Sequence, residues 1–270
     1  MRQRSTAAVV RPPGQSIVGA TCISVSRSKV ALLAALSLAA AILGVTAVGS
    51  WSIARDLPDV RKIIEYRPQK AHANRMFVPA GAIPQLVVDA FLSAEDSDFY
   101  HHPGIEVPFV LRDVLVNLLR FDLNRRPIGA STITQQVVKN LLLNDEVSLK
   151  RKAQEAVLAL RLERSLSKDR ILELYLNEIY LGCRAYGVAE AAQRYFDKSL
   201  DQLSLPETAF LAGLPKAPTH YNPVRFPDAA RARRNWVLDR MAEDGRITSD
   251  SASRAKTEPL HTSVAAKARC

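Results

Sequence analysis

The feature that most constrains this chain is a run with no charged side chain at residues 30–51, VALLAALSLAAAILGVTAVGSW. At about 1.5 Å of helical rise per residue, such a run extends ~33 Å, enough to cross a hydrocarbon core of ~30 Å. Five basic residues precede it (Arg2, Arg4, Arg11, Arg27 and Lys29), and the first acidic side chain is Asp56. That asymmetry orients the run with its N-terminus in the cytoplasm and residues 55 onward outside. A cleaved signal peptide competes with this reading, since Ala47, Val48 and Gly49 are small enough for a cleavage site. Its apolar core normally spans only ~7–15 residues, so the longer run favours an uncleaved, single-pass anchor. The chain therefore divides into a basic cytoplasmic leader (1–29), an anchor (30–51) and a polar linker (52–80) carrying Pro58, Pro68 and Pro79.

The formal net charge is +10, and half of it belongs to the leader. The exported remainder carries no basic cluster on a recognisable motif, which argues against a nucleic-acid partner. Three cysteines, at 22, 183 and 270, leave Cys183 and Cys270 as the one exported pair. Neither a C-x-x-C spacing nor an H-E-x-x-H pattern is present, so a protein-ligated zinc site is not expected.

Beyond the linker, apolar residues recur at helical spacing. Leu86, Val87, Ala90, Phe91 and Ala94 predict a helix ending near Glu95 and Asp96. Further helices are expected over 131–143, 149–164, 168–181, 186–195, 204–213 and 228–243, with Gly182 as a stop signal. Strand-like alternation is scarce, so the expected fold is all-α. The stretch 105–123 is unusually apolar, which suits either core or a surface dipping into a bilayer interface.

Four segments carry candidate chemistry. Residues 95–104 hold Glu95, Asp96 and Asp98 beside His101 and His102. Crowded carboxylates repel, and one held in a cleft would have a raised pKa and act as a proton acceptor. Residues 129–140 open a helix after a glycine, with Thr132 and Gln135 spaced as a capping box. Ser131, Gln135 and Lys139 fall on one stripe of that helix, where free N–H groups, a hydroxyl, an amide and an ammonium suit a pyrophosphate. In the third segment, Arg151 and Lys152 precede Glu155 by one turn, the usual spacing of a surface ion pair. The fourth, 167–182, is periodic in Ile, Leu and Tyr and reads as scaffold.

In their order, these segments resemble the peptidoglycan glycosyltransferases, family 51. These occur as monofunctional enzymes and as the N-terminal part of class A penicillin-binding proteins. The matching pieces are E-D-x-x-F-x-x-H-x-G at 95–104, G-x-S-T-I-T-Q-Q at 129–136, R-K-x-x-E at 151–155 and S-K-D-x-I-L-x-x-Y-L-N at 167–177. The resemblance implies an N-terminal transmembrane helix followed by a two-lobed, lysozyme-like helical domain at 81–245. Its membrane-facing jaw would lie at 105–128, and a tail at 246–270 would follow.

The implied reaction polymerises lipid II into β-1,4 glycan strands with inversion, releasing polyprenyl pyrophosphate. Glu95 would be the general base, and Glu155 would match the second essential glutamate. Asp96, Phe99, His102, Ser131, Thr132, Gln135, Gln136, Lys139, Arg151 and Lys152 would serve substrate binding. The resemblance implies no required cofactor and allows magnesium or manganese at the pyrophosphate. Its implied partners are lipid II, the growing strand, membrane lipids and other cell-wall synthesis proteins. The implied location is the bacterial inner membrane, with the catalytic domain outside.

One position departs from the pattern: Val147 stands where many members carry a further arginine, and Lys150 is the nearest basic replacement. Weaker donor binding, or compensation by Lys150, is expected. A lytic transglycosylase would share the lysozyme-like lobe, but it needs no pyrophosphate site. No ordered S-x-x-K, S-x-N and K-T-G set is present, so no transpeptidase activity is expected.

Overall fold

Helical periodicity and local capping chemistry together produce the architecture. The computed structural model describes residues 55, 57–66, 76–106, 131–143 and 148–263, all within the unit Ile53–Cys270. Nine α-helices lie in these residues. They are α1 (Arg61–Ile64), α2 (Gln85–Glu95), α3 (Ile133–Leu142), α4 (Leu149–Glu163), α5 (Lys168–Glu178), α6 (Val188–Phe196), α7 (Leu205–Gly213), α8 (Pro227–Glu243) and α9 (Ser249–Thr257). A single antiparallel bridge, Tyr180 to Tyr186, is the only β pairing among the described residues.

Hydroxyl caps set several helix starts. The Thr132 hydroxyl accepts from the Gln135 N–H while the Gln135 side chain returns to the Thr132 N–H, so the expected capping box is formed. Ser148 and Ser167 cap α4 and α5 in the same sense, each accepting from the N–H three residues on. Helix α5 ends at Glu178, earlier than the expected 181, and Gly182 lies in the turn beyond it.

The core forms where α2 packs on α7 and α8, and where α3 packs on α4 and α5. Phe91 meets the ring edge of Tyr175, and Phe210 meets Tyr195 and Phe196 edge-on. Such a core fixes α2 along its length, so its last residue, Glu95, cannot drift. Asn177 ties down the segment that leads into α2, accepting from the Val78 N–H and donating to the Val78 carbonyl. The 167–177 segment is thus scaffold, as its periodicity indicates.

The buried core reaches past the expected 81–245 at both ends. Val60 and Ile63, from the stretch expected to be linker, are buried in it. At the other end α9 packs on α8 through Ala252 and Ala255, and the buried Arg234 donates to the carbonyls of Lys256 and Glu258. Arg246 also binds Asp89 of α2 at 2.6 Å, so 246–263 belong to the folded body rather than to a loose tail.

Among the described residues no helix is long and apolar enough to cross a membrane. The expected leader and anchor lie outside the described residues, as do the jaw beyond Glu106 and Val147. Cys183 is disulfide-bonded, and its partner also lies outside them.

Candidate active site

Glu95 closes α2 with a side chain only 11% exposed. Its Oε2 accepts from the Gln136 amide at 2.7 Å. Its Oε1 accepts no hydrogen bond among the described residues, and the Arg233 guanidinium stands 3.9 Å away. That distance allows charge attraction but is too long for a hydrogen bond. Burial pushes the Glu95 carboxyl above its ordinary value, against the pull of the Gln136 hydrogen bond and of Arg233 and Lys216, while Asp96 adds to the rise. The result is a carboxylate with one oxygen fixed and one available, in surroundings that favour taking up a proton.

Behind Glu95, a closed polar bracket joins the 95–104 and 131–136 segments. Asp96 Oδ2 accepts from the Ile133 N–H at the start of α3, and Asp96 Oδ1 takes His102 Nε2 at 2.8 Å. The Gly104 N–H donates to His102 Nδ1, so Nε2 carries the proton directed at Asp96. Thr132 Oγ1 donates to the Gly104 carbonyl at 2.6 Å. Gly104 has φ +94°, and a Cβ there would lie 2.7 Å from Glu163 Cγ, so glycine is required on both counts. The bracket sets α3 against the end of α2, which brings Gln136 within reach of Glu95. Lys168 closes it from α5, bonding the His102 carbonyl and Glu163 while its ammonium sits 4.4 Å from the Phe99 ring centre.

The second glutamate has a different environment. Glu155 is 2% exposed, with Lys152 at 3.1 Å and Arg151 at 3.5 Å. Lys152 also donates to the Ser131 hydroxyl at 2.6 Å, so the start of α3 and the first turns of α4 share one cationic cluster. Glu155 Oε1 is buried and accepts no hydrogen bond among the described residues.

Several expected roles change in light of these contacts. Asp96, His102 and Thr132 have every side-chain polar atom engaged within the protein, Phe99 is fully buried, and Gln135 is committed to its cap. These five, expected as substrate contacts, have these partners within the protein. The single stripe of Ser131, Gln135 and Lys139 is not formed either. Ser131 precedes the helix, Gln135 turns inward, and half-buried Lys139 lies in the last turn. Nor is Glu155 in a surface ion pair, because its carboxylate is buried. Ser131, Arg151, Lys152 and Glu155 do come together, and Gln136 joins Glu95.

Arg233 was not singled out from the sequence. Its Nε donates to the Gly213 carbonyl at 3.1 Å and its guanidinium lies 3.9 Å over the Trp236 ring. The signal was an adjacent arginine pair, Arg233 and Arg234, on the buried face of a strongly polar helix.

Among the described residues, the donor sets already have partners that a resident metal would have to displace. Asp96, His102 and Glu106 lie close enough to share an ion, but Asp96 and His102 already satisfy one another, Gly104 and Ile133. Around Glu155, Lys152 and Arg151 already lie against the two carboxylate oxygens.

Residues 61–242 match the Transglycosylase family, and the chain belongs to that family. It is 44% identical over 232 residues to penicillin-binding protein 1A of Rickettsia conorii, covering 80% of this chain and 29% of that protein. It is 49% identical over 188 residues to penicillin-binding protein 1A of Neisseria flavescens, covering 70% of this chain and 23% of that protein. A crystal structure of penicillin-binding protein 1A from Haemophilus influenzae aligns at 31% identity over 70% of this chain and 18% of that one, with a TM-score of 0.42. The chain spans less than a third of the length of the curated relatives it matches.

Proposed function

We propose that this chain is a peptidoglycan glycosyltransferase that polymerises lipid II. One observation carries the reading: a nearly buried glutamate at a helix end, with a neutral amide on one oxygen and the other free. In the reaction, Glu95 Oε1 takes the proton of the acceptor sugar's 4-hydroxyl as that oxygen attacks C1 of the growing strand. The C1–pyrophosphate bond breaks, the lipid pyrophosphate leaves, and the anomeric configuration inverts. Lys152, Arg151 and Lys139, with the Ser131 hydroxyl, supply the charge and hydrogen bonds that stabilise the departing phosphates. Glu155 orients Lys152 and Arg151, and Asp96, His102, Thr132 and Gln135 hold Glu95 and Gln136 in register.

The substrate's lipid tail lies in the bilayer, so an anchor at 30–51 would raise the local concentration of enzyme beside it. An exported location also suits the disulfide at Cys183. The test is incubation of the purified full-length protein with labelled lipid II in detergent. High-molecular-weight glycan that a muramidase degrades is the expected product. Absence of polymer across several detergents, with and without magnesium or manganese, would sink the reading. Cleavage of preformed strands instead would identify a hydrolase.

A further inference from the structure

We propose that Arg233, fixed by Gly213 and Trp236, is a positioning residue that keeps Glu95 ionised while leaving Oε1 free to take the proton. The proposal rests on the glycosyltransferase reading for the reaction, but not for the charge relation itself. Arg233 is held on three sides. Its Nε bonds the Gly213 carbonyl, its flat face rests on Trp236, and its Cγ fills space that exists only because Gly213 lacks a Cβ. A Cβ at residue 213 would lie 2.9 Å from Arg233 Cγ. So fixed, the guanidinium cannot close the 3.9 Å gap to Glu95 Oε1. A closer approach would make a hydrogen-bonded ion pair and spend the oxygen that must receive the proton. A longer one would leave only the Gln136 hydrogen bond and exposed Lys216 against burial and Asp96, and the carboxyl would hold its proton to higher pH.

The other groups facing Glu95 do not supply this balance. Asp96, just beyond α2, opposes ionisation, and the buried Tyr175 hydroxyl on α5 carries no charge to offset it. Helix α3 contributes Gln136, whose hydrogen bond favours the ionised form but carries no charge and occupies only Oε2, and Lys216, after α7, is exposed and screened by water. Arg233 is the buried cation of the set, at 8% exposure. Its stacking on Trp236 exploits the planar guanidinium, which a lysine does not reproduce.

The test compares full-length wild type with Arg233→Met, Arg233→Lys and Gly213→Ala. The first readout is the pH dependence of lipid II polymerisation. The second is a 13C carboxyl titration of the labelled protein, with Glu95→Gln identifying the resonance. For Arg233→Met we expect at least about a tenfold loss of rate at pH 6 that shrinks to about twofold at pH 8.5, with the carboxyl titration displaced to higher pH. Gly213→Ala should move both readouts the same way by pushing Arg233 aside, and it covers the case in which Arg233→Met does not fold. Arg233→Lys should restore part of the shift, because charge returns without the stack. A loss equal at every pH with an unmoved titration would overturn the proposal and leave Arg233 a packing residue. Should wild type make no polymer while the titration still moves, the charge relation stands and the glycosyltransferase reading fails.

Discussion

Glu95 and Glu155 are both nearly buried glutamates on helices of one folded body, and their surroundings differ in the respect that matters for chemistry. Glu155 has two cations within 3.5 Å, and one of them reaches on to Ser131. Its charge goes to arranging those cations. Glu95 has a neutral amide on one oxygen and its nearest cation held at 3.9 Å from the other. The lesson is that burial alone does not make a base. A buried carboxylate becomes reactive when its counter-charge is close enough to permit ionisation and too far to take the lone pair.

Swapping each glutamate separates the two roles. Glu95→Gln should cut polymerisation by about 10²–10⁴-fold, the usual worth of a general base, with the fold intact by circular dichroism. Glu155→Ala should act on stability as well as on donor binding, because it removes the buried carboxylate that Arg151 and Lys152 share. We expect a loss of about 2 kcal/mol in urea unfolding, below the 3–5 typical of fully buried pairs because Lys152 is partly exposed. Asp96→Ala leaves the Ile133 N–H and His102 Nε2 without their acceptor and should cost about 1–3 kcal/mol, with reduced activity because α3 and Gln136 shift. Gly104→Ala imposes a positive φ and a clash with Glu163, and should lower stability by about 1–3 kcal/mol in the same assay.

The smallest effect concerns pH, and it arises at Glu95. Burial lifts the Glu95 carboxyl above its unfolded value, so the folded state binds that proton more tightly than the unfolded state does. Wild type therefore loses stability relative to Glu95→Gln as pH rises from the unfolded pKa through the folded one, and the difference levels off above it. Thermal melts of the two proteins between pH 4 and 8 should diverge in that direction.

Much of this was legible in the sequence where the information is local. Helical spacing gave α2 through α8, and the Thr132–Gln135 cap forms as its spacing requires. The same cap misled the reading of the site, because a Gln135 engaged in capping turns inward rather than toward a ligand. The paired carboxylates at 95–96 read as one cluster, yet only the fold shows that Asp96 is consumed by Ile133 and His102 while Glu95 stays available. Arg233 was hidden because Gly213 and Glu95 meet it only through tertiary packing, while Trp236, one turn along the same helix, gives no sign of them. Helix α9 carried no strong apolar signal, since Ala252 and Ala255 bury little surface and Arg234 closes its end from another helix.

The most direct test is the initial rate of lipid II polymerisation by full-length wild type and Glu95→Gln across pH 5.5–9 at matched protein folding. The account expects wild-type polymerisation that falls on the acidic side, and a variant at least about 100-fold slower at every pH. Equal rates from the two proteins, or a wild-type rate that rises as the pH falls, would contradict it.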